Sequence, residues 1–399
     1  MTRAKKLLLV LLGLVLLSQL PFAYRRYRLR KLKQQIERNE VKAVDSGDPF
    51  TEYKGAMHVH SFLGGHSSGT FQEIIAAANQ TGLQFVIMTE HPAKEIDTSA
   101  LTLQGMKGGV LFINGNEVSS ASGDRLLLVP GEASLAQADQ SAINNLATTA
   151  HARNALAIAA YPDEFKSWDA GFDGVEVYNV FTNAKEYNKV VAFFDGLWSY
   201  SSYRDLLFAN FYQRPTAALQ KWDSLLATRR VVATAGTDAH SNIGVSLNDA
   251  SGKQLYGIKV DPYQTSFALV KMHVLLPRDK NLDAQNLLDA IRAGHCYIGF
   301  DVFGDVSNFR FTATNGSMTA IQGDEITLTD NTSLKVWLTA PRRVVIFRNG
   351  ATFFDEAGVQ MKEVKITERG VYRVEIYNPG LGKPFSEQPL IISNPIYVR

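Results

Sequence analysis

The stretch Phe85-Val86-Ile87-Met88-Thr89-Glu90-His91 sets the reading of this chain. Four apolar residues in a row, without alternation, describe a strand buried on both faces, the kind found in sheets covered by helices. The run then stops at a carboxylate and an imidazole. The pattern recurs. Val110 to Ile113 leads to Glu117, Leu156 to Ala160 ends at Tyr161-Pro162, Val175-Glu176-Val177-Tyr178 follows, and Val231 to Thr234 ends at Gly236-Thr237-Asp238-Ala239-His240. Upstream, Met57 to Val59 is a short extended piece that carries His58, with His60 just beyond it.

Helical segments separate these strands. Thr70 with Glu73 makes a capping-box pattern opening a helix over Phe71 to Gln80, which Gly82 closes. Further helices are expected over about 141–153, 184–197 and 215–227. The alternation predicts an α/β fold with a buried, mostly parallel sheet. Its polar clusters all fall at strand C-terminal ends, where a β/α barrel builds its active site. From about Asn308 the period changes to two: Phe309 and Phe311, then Leu334, Val336 and Leu338, alternate with polar residues. Val344 to Phe347, Asn349-Gly350 and Thr352 to Phe354 read as a hairpin, and Val371 to Tyr377 as a further strand. This end is expected to be a small β-sandwich.

Leu7 to Ala23 is apolar apart from Ser18 and Gln19, with Arg3, Lys5 and Lys6 before it. It reads as a signal anchor over 1–24 rather than a cleaved signal, because Pro21 is poorly placed for a cleavage site. Residues 25–50 read as a basic juxtamembrane linker, whose Leu29, Leu32 and Ile36 share one helical face suited to the headgroup layer. The layout of basic head, apolar run and large domain places the body outside the cytoplasm. Arg25, Arg26, Arg28, Arg30, Lys31 and Lys33 argue for the cytoplasmic face instead. The remaining expectation is a β/α barrel over 51–303 and a β domain over 304–399.

Of 399 residues, 45% are hydrophobic and 20% charged, which excludes a disordered chain or a polytopic membrane protein. The single cysteine, Cys296, excludes an intrachain disulfide framework and a thiolate-rich metal site. The net charge of +2 conceals an asymmetry: residues 1–42 hold 11 Lys/Arg and 2 Asp/Glu, leaving 30 and 37 elsewhere, a net of −7. Nucleic acid is not expected as a partner of such a body. The membrane is expected as a partner through the anchor.

The chemistry lies in five of the eight histidines. His58 and His60 leave one strand end, His66 returns on the Gly64-Gly65 loop, and His91 and His240 end two other strands, with Glu117 and Asp238 beside them. Neutral imidazoles and carboxylates on one rim are ligands for divalent transition metals such as Zn, Mn or Fe. One histidine alone would read as structural, and His151, His273 and His295 are read so. Metals on such a rim lower the pKa of bound water and polarise an ester oxygen, so a metal-bound hydroxide can attack without a protein nucleophile. No Ser/His/Asp triad is suggested. Glu176 and Asn179 are expected to hold ligands by hydrogen bonds. Arg204 and Arg214, in the long insert before the Asp238 strand, are candidates for contact with an anionic substrate. The insert's Tyr200, Tyr203, Phe208, Phe211 and Tyr212 suggest a lid or a packed helix.

The ordered set His58-Val59-His60-Ser61 with His66, Thr89-Glu90-His91, Gly115-Asn116-Glu117, Gly174-Val175-Glu176-Val177-Tyr178-Asn179 and Gly236-Thr237-Asp238-Ala239-His240 resembles the PHP superfamily, the polymerase and histidinol phosphatase metallohydrolases, over about residues 53–303. Gly294-His295-Cys296-Tyr297 and Ser393-Asn394-Pro395-Ile396-Tyr397-Val398 are similar to a carbaryl-hydrolase-like branch with a C-terminal Ig-like β domain. The resemblance implies a distorted seven-stranded β/α barrel and up to three metals. It implies one metal on His58, His60, Glu117 and Asp238, and another on His66, His91 and His240, with Glu117 or a hydroxide bridging. Two departures bear on the third metal. The family commonly has Gly-His where this chain has Gly123-Asp124, and Ala-His-Pro where it has Ala160-Tyr161-Pro162. Asp124 and Tyr161 are left as weak oxygen ligands, Tyr161 as a phenolate on Fe³⁺, and two metals are expected with the third weak or absent. The function expected is a metal-dependent phosphoesterase acting on a small-molecule ester. The alternatives are a carbamate, amide or carboxylic ester hydrolase on the same metals, and a non-catalytic binding protein with a degenerate site.

Overall fold

The structure is a computed structural model that describes residues 2–38, 49–136, 141–185, 188–210, 212–248 and 254–399. Its first element, α1 (Arg3–Arg38), is one helix in which the apolar run and the basic segment are continuous through Pro21. The apolar window is long enough to cross a membrane, and none of it is buried. The second half behaves differently from expectation. Leu29 and Leu32 are buried and Ile36 packs beside them, all against the protein's own core. The apolar face read as headgroup-seeking is thus covered by protein. Residues 39–48 of the expected linker lie outside the described residues.

The main sheet holds β1 (Phe50–Val59), β2 (Phe85–Met88) and β3 (Val110–Ile113) in parallel, with α2 (Phe71–Gln80) between the first two. The α2 capping box is formed: Thr70 accepts from the Glu73 N–H while the Glu73 carboxylate accepts from the Thr70 N–H. A second, five-stranded sheet runs β4 (Asn116–Ser119), β5 (Arg125–Val129), β6 (Leu156–Ala160), β7 (Gly174–Asn179) and β8 (Val232–Gly236). Only β6–β7–β8 are parallel; β4–β5–β6 are antiparallel. The sheet is therefore mixed, because the Ser120–Gly123 turn is too short for a crossover and folds β5 back on β4. Around these strands lie α3 (Ile143–His151), α4 (Val180–Lys185), α5 (Lys189–Ala209) and α6 (Thr216–Leu226). The two sheets meet through isolated bridges, Val59 to Ala239 and Glu90 to Asn116.

On its other edge β1 pairs antiparallel with β9 (Lys271–Pro277), which pairs with β10 (Cys296–Gly299). The C-terminal region is strand-rich, with β11 (Arg310–Thr314), β12 (Ser333–Arg348), β13 (Ala351–Lys365), β14 (Gly370–Tyr377) and β15 (Pro389–Ser393). The β12–β13 hairpin turns at Asn349 and Gly350, both at positive φ (50° and 81°), the conformation an Asn-Gly turn demands. The region continues the main sheet, because β15 hydrogen-bonds to β10. Two buried ionic networks brace this junction. His273 on β9 lies between Glu52 (2.8 Å) and Asp301 (3.1 Å), and Glu52 also accepts from Arg310 at 2.7 Å. Arg373 on β14 joins Asp223 of α6 (2.7 Å) to Glu375 (2.6 Å).

Candidate metal centre

Backbone pairing brings the histidines together. Thr237 N–H donates to the Met57 carbonyl (2.9 Å) and His60 N–H to the Ala239 carbonyl (3.0 Å), setting the β1 and β8 ends side by side. Thr89 N–H donates to Val59 (2.9 Å) and Glu117 N–H to Glu90 (3.1 Å), which draws in the β2 and β4 ends. The Glu90 carboxylate then holds the loop between His60 and His66, accepting from the Ser61 hydroxyl at 2.6 Å and the Thr102 hydroxyl at 2.8 Å. His58, Tyr161 and Asp238 all have positive φ (62°, 52° and 47°). Non-glycine residues enter that region only under constraint, and here the strained positions share one site.

At the centre is Glu117. Its Oε2 lies 3.1 Å from His58 Nε2, 3.2 Å from His60 Nε2 and 3.5 Å from His91 Nε2. Asp238 Oδ1 is 3.5 Å from His58 Nε2, 3.6 Å from His60 Nε2 and 3.4 Å from His240 Nδ1. His240 Nδ1 donates to the Asp238 carbonyl at 2.8 Å, which turns its Nε2 toward His66 Nε2, 2.9 Å away. Two overlapping groups could each hold an ion: His58, His60, Glu117 and Asp238, and His60, His91 and His240. The first is the quartet expected. In the second, His60 stands where His66 was expected; His66 is exposed on its loop and adjoins that group through His240.

The fit to a cation rests on atoms left without partners. His60 Nδ1 and Nε2 and Asp238 Oδ1 are buried and make no hydrogen bond. Buried orphans of this kind are costly unless something binds them. Two buried carboxylates facing three or four imidazoles also match the donor preference of divalent transition metals. The electrostatics agree. Burial alone would raise the Glu117 pKa, but His58 and His60 close beside its carboxylate hold it well below the usual range. Burial lowers His60 to about 4 and His91 to about 3, so both are neutral lone-pair donors at pH 7. Burial disfavours His58 protonation too, but the charges of Glu176 and Asp238 outweigh it and push its pKa well up.

Behind the cluster, Glu176 Oε1 is 2.6 Å from His58 Nδ1, and Asn179 donates to Glu176 Oε2 at 2.9 Å. Gly236 is small for this reason, since a Cβ there would lie 1.5 Å from Glu176 Oε1. In front lies a cavity of about 230 Å³ whose walls include His66, His91, Arg125, Tyr161, Phe181 and Asp261. Arg125 is absent from the sequence reading: its Nη1 donates to Glu117 Oε1 at 2.6 Å, and its guanidinium lies 5.5 Å from the Tyr161 ring centre. The signal available was the tight turn after Glu117. In an antiparallel hairpin with Ser119 opposite Arg125, residues 117 and 125 share a face.

Three expectations are corrected. Asp124 points away from the cluster and accepts from the Ser167 hydroxyl (2.5 Å), the Lys166 N–H (2.7 Å) and the Ser122 hydroxyl (2.9 Å), so it is spent on its own loop. Tyr161 does reach the cavity, but it donates to Asp238 Oδ2 at 3.0 Å, and burial with the nearby carboxylates raises its pKa, which opposes the phenolate. Arg204 contacts Asp205 (3.3 Å) near α1, and Arg214 is locked on Glu375 (2.6 Å); neither lines the cavity. Tyr212, read as part of a lid or of a packed segment, is buried and stacked on Phe300 at 3.9 Å, as the second alternative has it, while Phe211 lies outside the described residues.

Fold and site together define a mixed α/β protein with a buried His/Asp/Glu cluster, consistent with a metal-dependent hydrolase. No family model matches the chain, and no curated protein matches it. Among solved structures, PsfC from Pseudomonas syringae PB-5123 is 13% identical, with 60% of this chain and 88% of that one covered at a TM-score of 0.36. The lesion-specific endonuclease PfuEndoQ from Pyrococcus furiosus is 16% identical, with 67% and 63% covered at a TM-score of 0.37.

Proposed function

We propose that this chain is a PHP-type metallohydrolase that cleaves phosphoesters. The observation carrying the reading is that two candidate ligand groups share His60, with Glu117 Oε2 beside His58, His60 and His91. When bound there, divalent metals supply a Lewis acid and activate water. In this reading His58, His60, Glu117 and Asp238 hold one ion; His91, His240 and His66 hold the second, with His60 next to both. Glu117 Oε2, beside His58, His60 and His91, would be within reach of either ion. Glu176 orients His58 and Asn179 orients Glu176. Arg125 favours a phosphoester over a carbamate or carboxylic ester. It presents a permanent cation to the cavity beside the cluster, and a guanidinium matches phosphate oxygens in geometry and charge. Tyr161, protonated and held by Asp238, is a donor that can turn toward a second substrate oxygen.

We further propose that residues 7–23 anchor the chain, with the body outside the cytoplasm, on the strength of the exposed apolar window and its layout. The deciding experiment is elemental analysis of purified protein combined with hydrolysis assays on phosphomonoesters, phosphodiesters and carboxylic esters, repeated for His58→Ala and Asp238→Asn. The expected result is about two divalent ions per chain, phosphoester cleavage, and loss of both in each variant. Unchanged metal content in both variants would sink the assignment.

A further inference from the structure

The N-terminal half of α5 presents an apolar face to the outside. Val190, Phe193 and Leu197 are 65%, 62% and 68% exposed, and their spacing puts them on one side of a helix. Beyond Tyr203, where the helix kinks, Leu206, Leu207 and Ala209 are buried. Exposed apolar residues aligned this way mark a surface that something covers.

The position of this face says what covers it. α5 meets α1 where the apolar run of α1 ends. Trp198 Nε1 donates to the Gln19 side chain at 3.0 Å, and Phe194 stacks on Phe22 at 5.0 Å. Arg25 pairs with the buried Asp195 at 2.6 Å, and Arg26 bonds the Trp198 carbonyl and the Ser202 hydroxyl. With Leu7–Ala23 in a bilayer, the level of residues 19–26 is the membrane surface, and α5 lies at that level. Asp195, an acid within this half of α5, is neutralised internally by Arg25, so the exposed face meets lipid without an unpaired carboxylate. The aromatic and basic residues gathered here, Trp198, Tyr24, Tyr27, Arg26 and Arg28, are those that suit a headgroup layer. Leu29 and Leu32, buried in the core, join α1 firmly to the body, so the anchor also fixes which side faces the membrane.

Two links tie the cavity wall to α5. Phe181 lines it from α4, directly ahead of α5, and Tyr200 of α5 donates to the Lys259 carbonyl at 2.9 Å. Asn242 and Asp261 of the cavity wall are followed and preceded by the exposed Ile243 and Val260, which bond through their backbones at 2.7 Å. A polar pocket with an apolar rim suits a ligand whose head is polar and whose tail is not.

We propose that the apolar face of α5 seats in the bilayer surface beside α1, and that the substrate is the phosphoester headgroup of a membrane-resident amphiphile. The substrate half rests on the phosphoesterase reading; the docking half does not.

The test uses full-length protein in vesicles of equal parts phosphatidylcholine and phosphatidylglycerol. Environment-sensitive labels are placed through Val15→Cys, Leu197→Cys and Met361→Cys; the native Cys296 is buried and stays unlabelled. Labels at 15 and 197 should be quenched by nitroxide lipids and not by iodide, with 361 the reverse. Iodide quenching at 197 overturns the docking, and protection from both quenchers assigns the face to a second copy, which also overturns it. Iodide quenching at 15 defeats the anchor reading separately. In the same vesicles doped with phosphatidic acid, Phe193→Ser with Leu197→Ser should lower hydrolysis of that lipid by about tenfold or more, since the face that seats the body on the bilayer loses its apolar contact. Hydrolysis of p-nitrophenyl phosphate should hold. Equal effects on both substrates, or cleavage of the soluble ester alone, overturn the substrate class. Cleavage of neither by metal-loaded protein defeats the phosphoesterase reading while the label result stands.

Discussion

His58 Nδ1 lies 2.6 Å from Glu176 Oε1, both fully buried, with Gly236 leaving the space that lets the carboxylate approach. The pair fixes the ring so that Nε2 faces Glu117 and Asp238. Replacing the carboxylate should loosen the ring and weaken its basicity. Glu176→Gln is expected to lower metal affinity by about 10–100-fold, the usual cost of losing a partner to a metal-bound histidine. Competition titration with a chromophoric chelator reads this directly, and unchanged affinity would refute the role.

Arg125 separates phosphoester from neutral ester chemistry. Arg125→Ala should reduce kcat/KM for a phosphomonoester by about 10²-fold or more, as loss of one charged donor at a reacting centre does. A neutral carboxylic ester should be affected much less. Metal content must be measured alongside, because Arg125 also holds Glu117. Parallel losses on both esters would make Arg125 a support for Glu117 and nothing more.

Asp124 belongs to its loop. Asp124→Asn should leave metal stoichiometry unchanged and cost about 1–3 kcal/mol, since a buried acceptor loses its charge while keeping its neighbours. Chemical denaturation with elemental analysis checks both parts, and a lost equivalent of metal would return Asp124 to the site.

The network at His273 predicts a pH dependence of stability remote from the metal centre. Burial lowers the His273 pKa, but Asp301 and Glu52 overcome it and raise it to about 9. Its stabilising contribution is therefore full below the ordinary pKa of 6.5 and lost as pH climbs through about 9. Glu52 is held at about 2: burial opposes this, and the bond to His273 and the charges of His273 and Arg310 prevail. Its contribution is present above 4.5 and declines as pH falls towards about 2. Thermal melts in detergent should be highest between these limits, and His273→Asn should be destabilised with the alkaline slope reduced. An unaltered slope in the variant would rule the network out as its source.

Truncation distinguishes the two halves of α1. A chain starting at Tyr24 should remain folded and become independent of detergent. One starting at residue 39 loses Leu29 and Leu32, whose removal from the core costs about 2–5 kcal/mol each. Equal melting temperatures for the two truncations would show that the docked half contributes nothing.

Much of the chain's organisation was already legible in its residues. Phe85–Met88, Val110–Ile113 and Leu156–Ala160 are strands over the bounds their apolar runs suggest, and the Thr70/Glu73 cap and the Asn349-Gly350 turn form as local chemistry requires. These features depend on neighbours in the chain, and such contacts can be read from spacing. His58, His60, His91, Glu117, Asp238 and His240 were also marked by their place at strand ends, and the structure brings them within one cluster. Tertiary structure alone decided the rest. Asp124 and Arg125 are adjacent, yet Asp124 ends the turn and serves its loop while Arg125 opens β5 and faces Glu117. Arg214 meets Glu375, which is 161 positions away. Leu29 and Leu32 look equally suited to lipid or protein, and only the packing of α1 on the body chooses between them. Apolar patterning states that a face must be covered; what covers it depends on contacts distant in sequence, and no local spacing encodes those.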